Sequence, residues 1–386
     1  MKQISIRNAK LPRPDGTAPE GQVQIEGGTI RSVSTDRAAP DGTGDIVDAS
    51  GSLLMPGFVD VHIHGAVGVD VNAANAGQLL ELAAFLARNG VTAWVPTLVP
   101  DSDEAYRLVI TEIDRLMEMQ ECEPVAQAVG VHYEGVFANE KMCGALRPEY
   151  FKKFTGAEVR ELPRLKRGVH MTTFAPEIEG GIELVEELVR EGWIASIGHT
   201  RADIDTLEQA FAAGARHITH FFNAMSGMHH RDVGVAGWGL AKAGVTFDMI
   251  ADGVHVHPEM LRLATRIKSP ENVMLISDSV SPTGIGDGEF EIWGERVSVV
   301  EGRTTNERGS IAGSVITMHD AVRRMLSLGF TTAETAAMAS TNPARLLGLD
   351  NERGSIDAGR RADLIGIGPD RSIDFVMIGG RTVDLS

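Results

Sequence analysis

Twelve histidines occur in this chain of 386 residues, and all fall from His62 to His319, leaving both ends without one. His62 and His64 stand two apart in Val59-Asp-Val-His-Ile-His64. On a β-strand that spacing puts both imidazoles on one face. Glu134, His199, His220 and Asp278 follow at wide intervals, each at or just past the end of a short apolar run. A lone interior histidine is ordinarily a hydrogen-bonded core residue. Four histidines and two carboxylates at the ends of several strands instead form a donor set suited to Zn²⁺ or another borderline divalent ion. Open positions on such an ion would hold water of lowered pKa, which is hydrolytic chemistry.

The elements needed to gather these residues are legible in the middle of the chain. Candidate strands cover 57–64, 92–98, 127–134, 170–175, 194–198, 217–222, 246–251 and 273–277. Amphipathic stretches at 77–88, 181–190 and 202–213 lie between them, closing near Gly90, Gly192 and Gly214 as helix C-termini do. Eight strands, each followed by helix or loop, predict an α/β chain with a (β/α)₈ TIM-like barrel, whose chemistry sits at the C-terminal strand ends. The ends read as strand, Gly-Gly turn, strand: around Gly27-Gly28 and again around Gly379-Gly380. A small β-sandwich domain of residues 1–54 plus 349–386 is therefore expected around a catalytic barrel of residues 55–348. No G-x-G-x-x-G follows the first strand and no P-loop motif occurs, which excludes dinucleotide and P-loop readings.

Composition narrows the partners. Lysine and arginine number 36 against 53 aspartates and glutamates, leaving a formal charge of −17. So acidic a protein is repelled by nucleic acid and by anionic membranes. Two cysteines, Cys122 and Cys143, make no disulfide framework. With no secretory h-region and no spanning apolar run, the expectation is a cytoplasmic protein.

The constellation resembles the amidohydrolase superfamily. One branch bridges its metals with a lysine on the fourth strand, but no lysine lies between Lys166 and Lys242, which leaves Glu134 as the candidate bridge. Longer motifs resemble the N-acetylglucosamine-6-phosphate deacetylase family: Pro56-Gly-Phe-Val-Asp-Val-His-Ile-His-Gly65, Val131-His-Tyr-Glu-Gly135, Ala175-Pro-Glu177, Ile197-Gly-His-Thr200 and Thr219-His-Phe-Phe-Asn-Ala-Met225. His229-His-Arg231, Ala251-Asp-Gly-Val-His255, Ile276-Ser-Asp278, Ala312-Gly-Ser314 and Asn342-Pro-Ala-Arg345 complete the series in order.

The resemblance implies one or two divalent ions per subunit, most readily Zn²⁺. Glu134, His199 and His220 would hold the main ion, and His62 and His64 would complete a second position. Asp278 would be the general base. Asn223 and Ala224 would contact the sugar or phosphate, and Ala145 and Ile311 would also bind the substrate. His255 and Arg231 would bind the phosphate, Arg231 either within its own subunit or from a neighbouring subunit of a homodimer. The reaction implied is removal of the N-acetyl group from N-acetylglucosamine 6-phosphate. N-acetylgalactosamine 6-phosphate, an unphosphorylated N-acyl sugar or another amide is the alternative. One departure stands out: Leu146 occupies the place of a family histidine in Lys141-Met-Cys-Gly-Ala-Leu146.

Overall fold

In the computed structural model, which describes residues 2–36 and 44–386, the two longest barrel strands, Val91–Leu98 and Gly130–Phe137, are buried at every position. Strands covered on both faces read as continuous apolar runs rather than alternating ones. Eight parallel strands form the barrel: β1 (Phe58–Ile63), β2 (Val91–Leu98), β3 (Gly130–Phe137), β4 (Val169–Phe174), β5 (Ile194–Ile197), β6 (His217–Ile218), β7 (Thr246–Ile250) and β8 (Val273–Ile276). Each pairs with the next from β1 through β8. The ring is closed without a ladder, by Asp278 N–H donating to His62 O at 2.9 Å and Ser277 Oγ–H donating to the Asp60 carboxylate at 2.5 Å. This is the expected barrel.

Helices on the outside begin where side chains can satisfy their free N–H groups. Asn75 and Gln78 form a reciprocal capping box for Ala76–Arg88. Asp203 accepts from Thr206 N–H at 2.9 Å, so the helix expected over 202–213 runs Ile204–Ala213 and starts later than its apolar pattern. Gly181–Arg190 has the predicted bounds.

Six strands match their predicted limits to within one residue at each end, and two depart further. The run 127–134 divides into a short piece, Gln127–Ala128, paired to β2, and β3 itself. The run 217–222 is strand only at His217–Ile218, because the backbone turns left-handed at His220 and Phe222.

A three-stranded meander after β8, Gly288–Ile292, Glu295–Val300 and Arg303–Asn306, lies outside the elements expected from the sequence. Its turns are Trp293-Gly294 and Glu301-Gly302, with positive φ at all four residues. That is the two-residue hairpin geometry whose twist suits antiparallel strands.

The ends of the chain share one sheet. Gln3–Lys10, Glu20–Glu26, Thr29–Ser34, Asp45–Asp48 and Leu53–Pro56 join Leu364–Ile367, Ile373–Ile378 and Arg381–Thr382. Leu53–Pro56 runs antiparallel to Leu364–Ile367 and makes the junction. Ile6, Val23, Ile25, Ile30, Leu54, Leu364 and Met377 pack into one small core from both termini.

Candidate metal centre and active site

Six side chains meet at the C-terminal mouth of the barrel, brought there by two devices. The first is strand alternation: His62 lies in β1 and His64 just beyond it, with their Nε2 atoms 3.1 Å apart. The second is an abrupt turn out of a strand. His199, His220 and Asp278 each stand two residues past a strand end, at φ of 47°, 32° and 48°. Left-handed backbone at a non-glycine costs about 1–2 kcal/mol, and such outliers mark sites where geometry is held for function. Glu134 does not end β3 as its pattern suggests. The strand bulges after it, at Gly135 with φ 73°, and pairs again at Phe137.

The ligand atoms of His62, His64 and Asp278 lie within 4.8 Å of one another, and so do those of Glu134, His199 and His220. Glu134 touches both groups. Its Oε1 is 3.1 Å from His199 Nε2, 3.0 Å from His220 Nε2 and 3.4 Å from His62 Nε2, while Oε2 is 3.3 Å from His64 Nε2. Asp278 Oδ1 lies 3.2 Å from His64 Nε2 and 3.5 Å from His62 Nε2.

Tautomers decide what this cluster wants. His199 Nδ1–H donates to Met142 O at 2.8 Å, and His64 Nδ1–H donates to Thr97 O at 3.2 Å. In the neutral rings that leaves both Nε2 lone pairs facing carboxylate oxygens. Acceptor then faces acceptor, an arrangement satisfied only by a cation between them. A divalent metal fits. Without one, protons take its place: burial disfavours charged imidazoles, but Asp278 and Glu134 outweigh it and push His64 up to about 10. Glu134 likewise pushes His220 up to about 9 against the same burial. Burial also opposes ionisation of Glu134, yet the surrounding histidines hold its pKa well below the usual carboxylate range.

Two consequences can be measured. Both imidazoles are protonated at neutral pH in the metal-free cluster, and a metal binds only neutral imidazole. Loading at pH 7.5 should therefore release about two protons when both positions fill. Titration calorimetry in buffers of different ionisation enthalpy reads this directly, and a buffer-independent heat would contradict it. The raised values also stabilise the metal-free fold. That contribution is complete below about pH 6.5 and is lost as the pH rises through 9 and 10.

A buried layer underneath holds the donors in place. Asp60 accepts from Ser277 Oγ–H, and burial lifts its pKa to about 6. His217 bridges Thr246 Oγ1 and Asp248, at 2.8 and 2.9 Å, and Asp248 accepts from His220 N–H. His132 contacts Thr173 Oγ1 at 2.7 Å and packs edge-on against His62, and burial keeps it neutral. Glu177, from the Ala175-Pro-Glu177 motif, accepts from Asn139 Nδ2–H and Arg201 N–H, both at 2.7 Å, and so pins the loop after His199.

Above the cluster opens a cleft of about 280 Å³. Asn223, Ala224, His255, Ala145 and Ile311 all line it with His64, Glu134, His199, His220 and Asp278. The Nδ1–H of His255 donates to Asp252 at 2.6 Å, which fixes its ring. Arg231 is elsewhere. It is exposed on the loop bridged by His229 and Asp232, with its guanidinium 2.7 Å from His230 Nε2.

Sequence reasoning missed Trp293, which lines the cleft from the first meander turn with its ring centre 5.1 Å from that of His64. The Trp-Gly pair was the only signal, and it reports a hairpin rather than a destination. Leu146, the residue at the departure from the family motif, also lines the cleft and is almost wholly buried.

A parallel barrel with histidines and carboxylates converging on one mouth defines a metal-dependent hydrolase of the amidohydrolase type. The amidohydrolase family matches residues 53–383, and the chain belongs to that family, within its branch of N-acetylglucosamine-6-phosphate deacetylases. The Bacillus subtilis (strain 168) N-acetylglucosamine-6-phosphate deacetylase is 32% identical over 389 residues, covering 100% of this chain and 98% of the relative. The Escherichia coli O157:H7 N-acetylgalactosamine-6-phosphate deacetylase is also 32% identical, covering 97% of this chain and 98% of that one. Among solved structures, a mutant of the Mycobacterium smegmatis N-acetyl-D-glucosamine-6-phosphate deacetylase in complex with N-acetyl-D-glucosamine-6-phosphate is 29% identical. It superposes with a TM-score of 0.88 over 99% of this chain and 100% of its own.

Proposed function

We propose that this chain hydrolyses the N-acetyl group of N-acetylglucosamine 6-phosphate, giving glucosamine 6-phosphate and acetate. One observation carries the reading: an ionised Asp278 stands at the same mouth as Glu134, His199 and His220, in a member of this family. Burial alone would raise the Asp278 pKa, but His62 and His64 beside it bring it below the ordinary carboxylate value. It is therefore a base at neutral pH.

Glu134, His199 and His220 would hold the principal divalent ion, and His62 and His64 the second position, with Zn²⁺ the ion best suited to this donor set. Such an ion supplies Lewis acidity, lowering the pKa of water and polarising the acyl carbonyl. Asp278 accepts the proton of the attacking water and passes it to the departing nitrogen. The C–N bond breaks, the water oxygen ends in acetate, and the amine leaves protonated. Asn223 and Ala224 hold the sugar, Ala145 and Ile311 line the substrate's acyl side, and His255, oriented by Asp252, takes the phosphate.

Arg231 serves the cleft of a second copy in a homodimer, a role its exposed loop suits. The chemistry belongs to residues 55–348, and residues 1–54 with 349–386 form the small β domain. A cytoplasmic setting suits the two free cysteines, and no helix of the described residues is long and apolar enough to cross a membrane.

A second reading, N-acetylgalactosamine 6-phosphate as substrate, is favoured by the equal identity to the E. coli relative. Acetate release from both 6-phosphates and from free N-acetylglucosamine separates the two. Equal kcat/KM on phosphorylated and free sugar would refute the phosphate reading. The −17 charge offers an anion little long-range attraction, so phosphate affinity must come from local contacts. Charge-assisted hydrogen bonds contribute about 1.5–3 kcal/mol each. Arg231→Ala should thus raise KM for the 6-phosphate by roughly 10–100-fold and leave turnover of the unphosphorylated analogue nearly unchanged.

A further inference from the structure

The cleft is unequal on its two sides. His255 and Asn223 contribute polar groups from the loops after β7 and β6. Leu146, Ala145, Trp293 and Ile311 contribute a flank that is apolar apart from Ser310 and the indole N–H, from the loop after β3 and from the meander and the loop that follows it. That flank is built as one unit. Ala145 and Trp293 pack on the same small core of Val280, Ile292, Val297 and Ala312. Arg308, paired with Glu295 at 3.0 Å, donates from Nη2 to Ala145 O at 3.0 Å and Leu146 O at 3.4 Å, tying the meander to the other loop. Leu146 itself lies over Gly135, next to Glu134: a Cβ on that glycine would meet Leu146 Cδ1 at 2.2 Å.

The substrate class of the proposed function is equally two-sided. The sugar phosphate is polar, and the acyl carbon chain is not. With the scissile carbonyl at the Glu134–Asp278 cluster and the sugar phosphate on the polar side, the acyl substituent meets the apolar flank. A single methyl makes little use of a surface formed by a leucine, an isoleucine and an indole. We propose that Leu146 and Trp293 determine acyl specificity and that the cleft accepts N-acyl groups longer than acetyl. This rests on the amide-hydrolase reading above. Each further buried methylene is worth about 0.8 kcal/mol, or roughly fourfold in kcat/KM.

The test measures amine release from the 6-phosphates of N-acetyl-, N-propionyl- and N-butyrylglucosamine with the metal-loaded enzyme. A propionyl-to-acetyl ratio of kcat/KM of one or more supports the inference, with up to about a fourfold gain. A ratio below one overturns it while leaving deacetylation standing. No amine from any of the three overturns the functional reading and the inference together. Leu146→His, which places a polar ring in the flank, and Trp293→Ala, which removes the indole, should each lower the ratio at least threefold. A ratio unchanged in both folded variants would take specificity away from these residues. The wild-type series decides the matter even if a variant fails to fold.

Discussion

Asp278→Asn is expected to lower turnover by about 10²–10⁴-fold, the usual cost of losing a positioned acid–base group, while the fold and the Glu134–His199–His220 group persist. The substitution is nearly isosteric and removes the one property the mechanism uses, the ability to accept a proton. It also respects the backbone. Asp278 sits at φ 48°, a conformation that asparagine and aspartate tolerate better than other non-glycine residues. Its structural bonds are made by the main chain: its N–H donates to His62 O at 2.9 Å, and its carbonyl accepts from Ser314 N–H at 2.7 Å. Those bonds survive in the variant. Metal at the Glu134–His199–His220 position should match wild type while kcat falls, and the metal-free fold should lose only the part of its stability that the Asp278–His64 contact supplies. A kcat within threefold of wild type would remove Asp278 from the proton transfer.

Chelation is expected to abolish activity, and a divalent ion such as Zn²⁺ to restore it. Glu134→Gln should lower metal affinity by more than about 100-fold, since altering even the outer partners of metal ligands costs 10–100-fold. Among the described residues Glu134 is the only carboxylate within 3.0–3.4 Å of all four ligand histidines, and its charge would offset cations in both positions. Glutamine keeps the shape but loses the charge, and it turns an N–H toward rings that already carry donors or metal. His62→Asn removes one ligand of the second position and should spare the first. Metal analysis by mass spectrometry, with kcat/KM beside it, separates the two variants. Full occupancy in Glu134→Gln would exclude Glu134 as the shared ligand.

Much of the site was legible before any coordinates because it lies at strand ends. His62 and His64 could be put on one face from their spacing alone, since side-chain direction alternates along any strand. His199, His220 and Asp278 could be put at the mouth because each closes or follows an apolar run, although His220 lies beyond its strand rather than in it. Other features had no local signature. Glu134 reads as a strand terminus, and only the register between β3 and β4 reveals a bulge. Arg231 shares a family-like motif with the site residues, yet its loop keeps it out of its own chain's cleft. Trp293 belongs to a hairpin whose strands are mostly exposed, so their hydrophobic pattern is weak.

The sequence by itself determined the parallel barrel, the β-rich ends and the identity of six ligand-type side chains, because periodicity and turn residues encode local geometry. Tertiary structure alone decided how those six share protons and charge. His199 is oriented by the carbonyl of Met142 and His64 by that of Thr97, and both Nε2 atoms meet the carboxylate of Glu134. It also decided that Leu146 and Trp293 share one cleft, through Arg308 and a small core drawn from three separate segments. Hydrogen-bond direction, pKa and pocket shape depend on groups far apart in the chain, and no period in the sequence carries information about pairs that only folding brings within 3–5 Å.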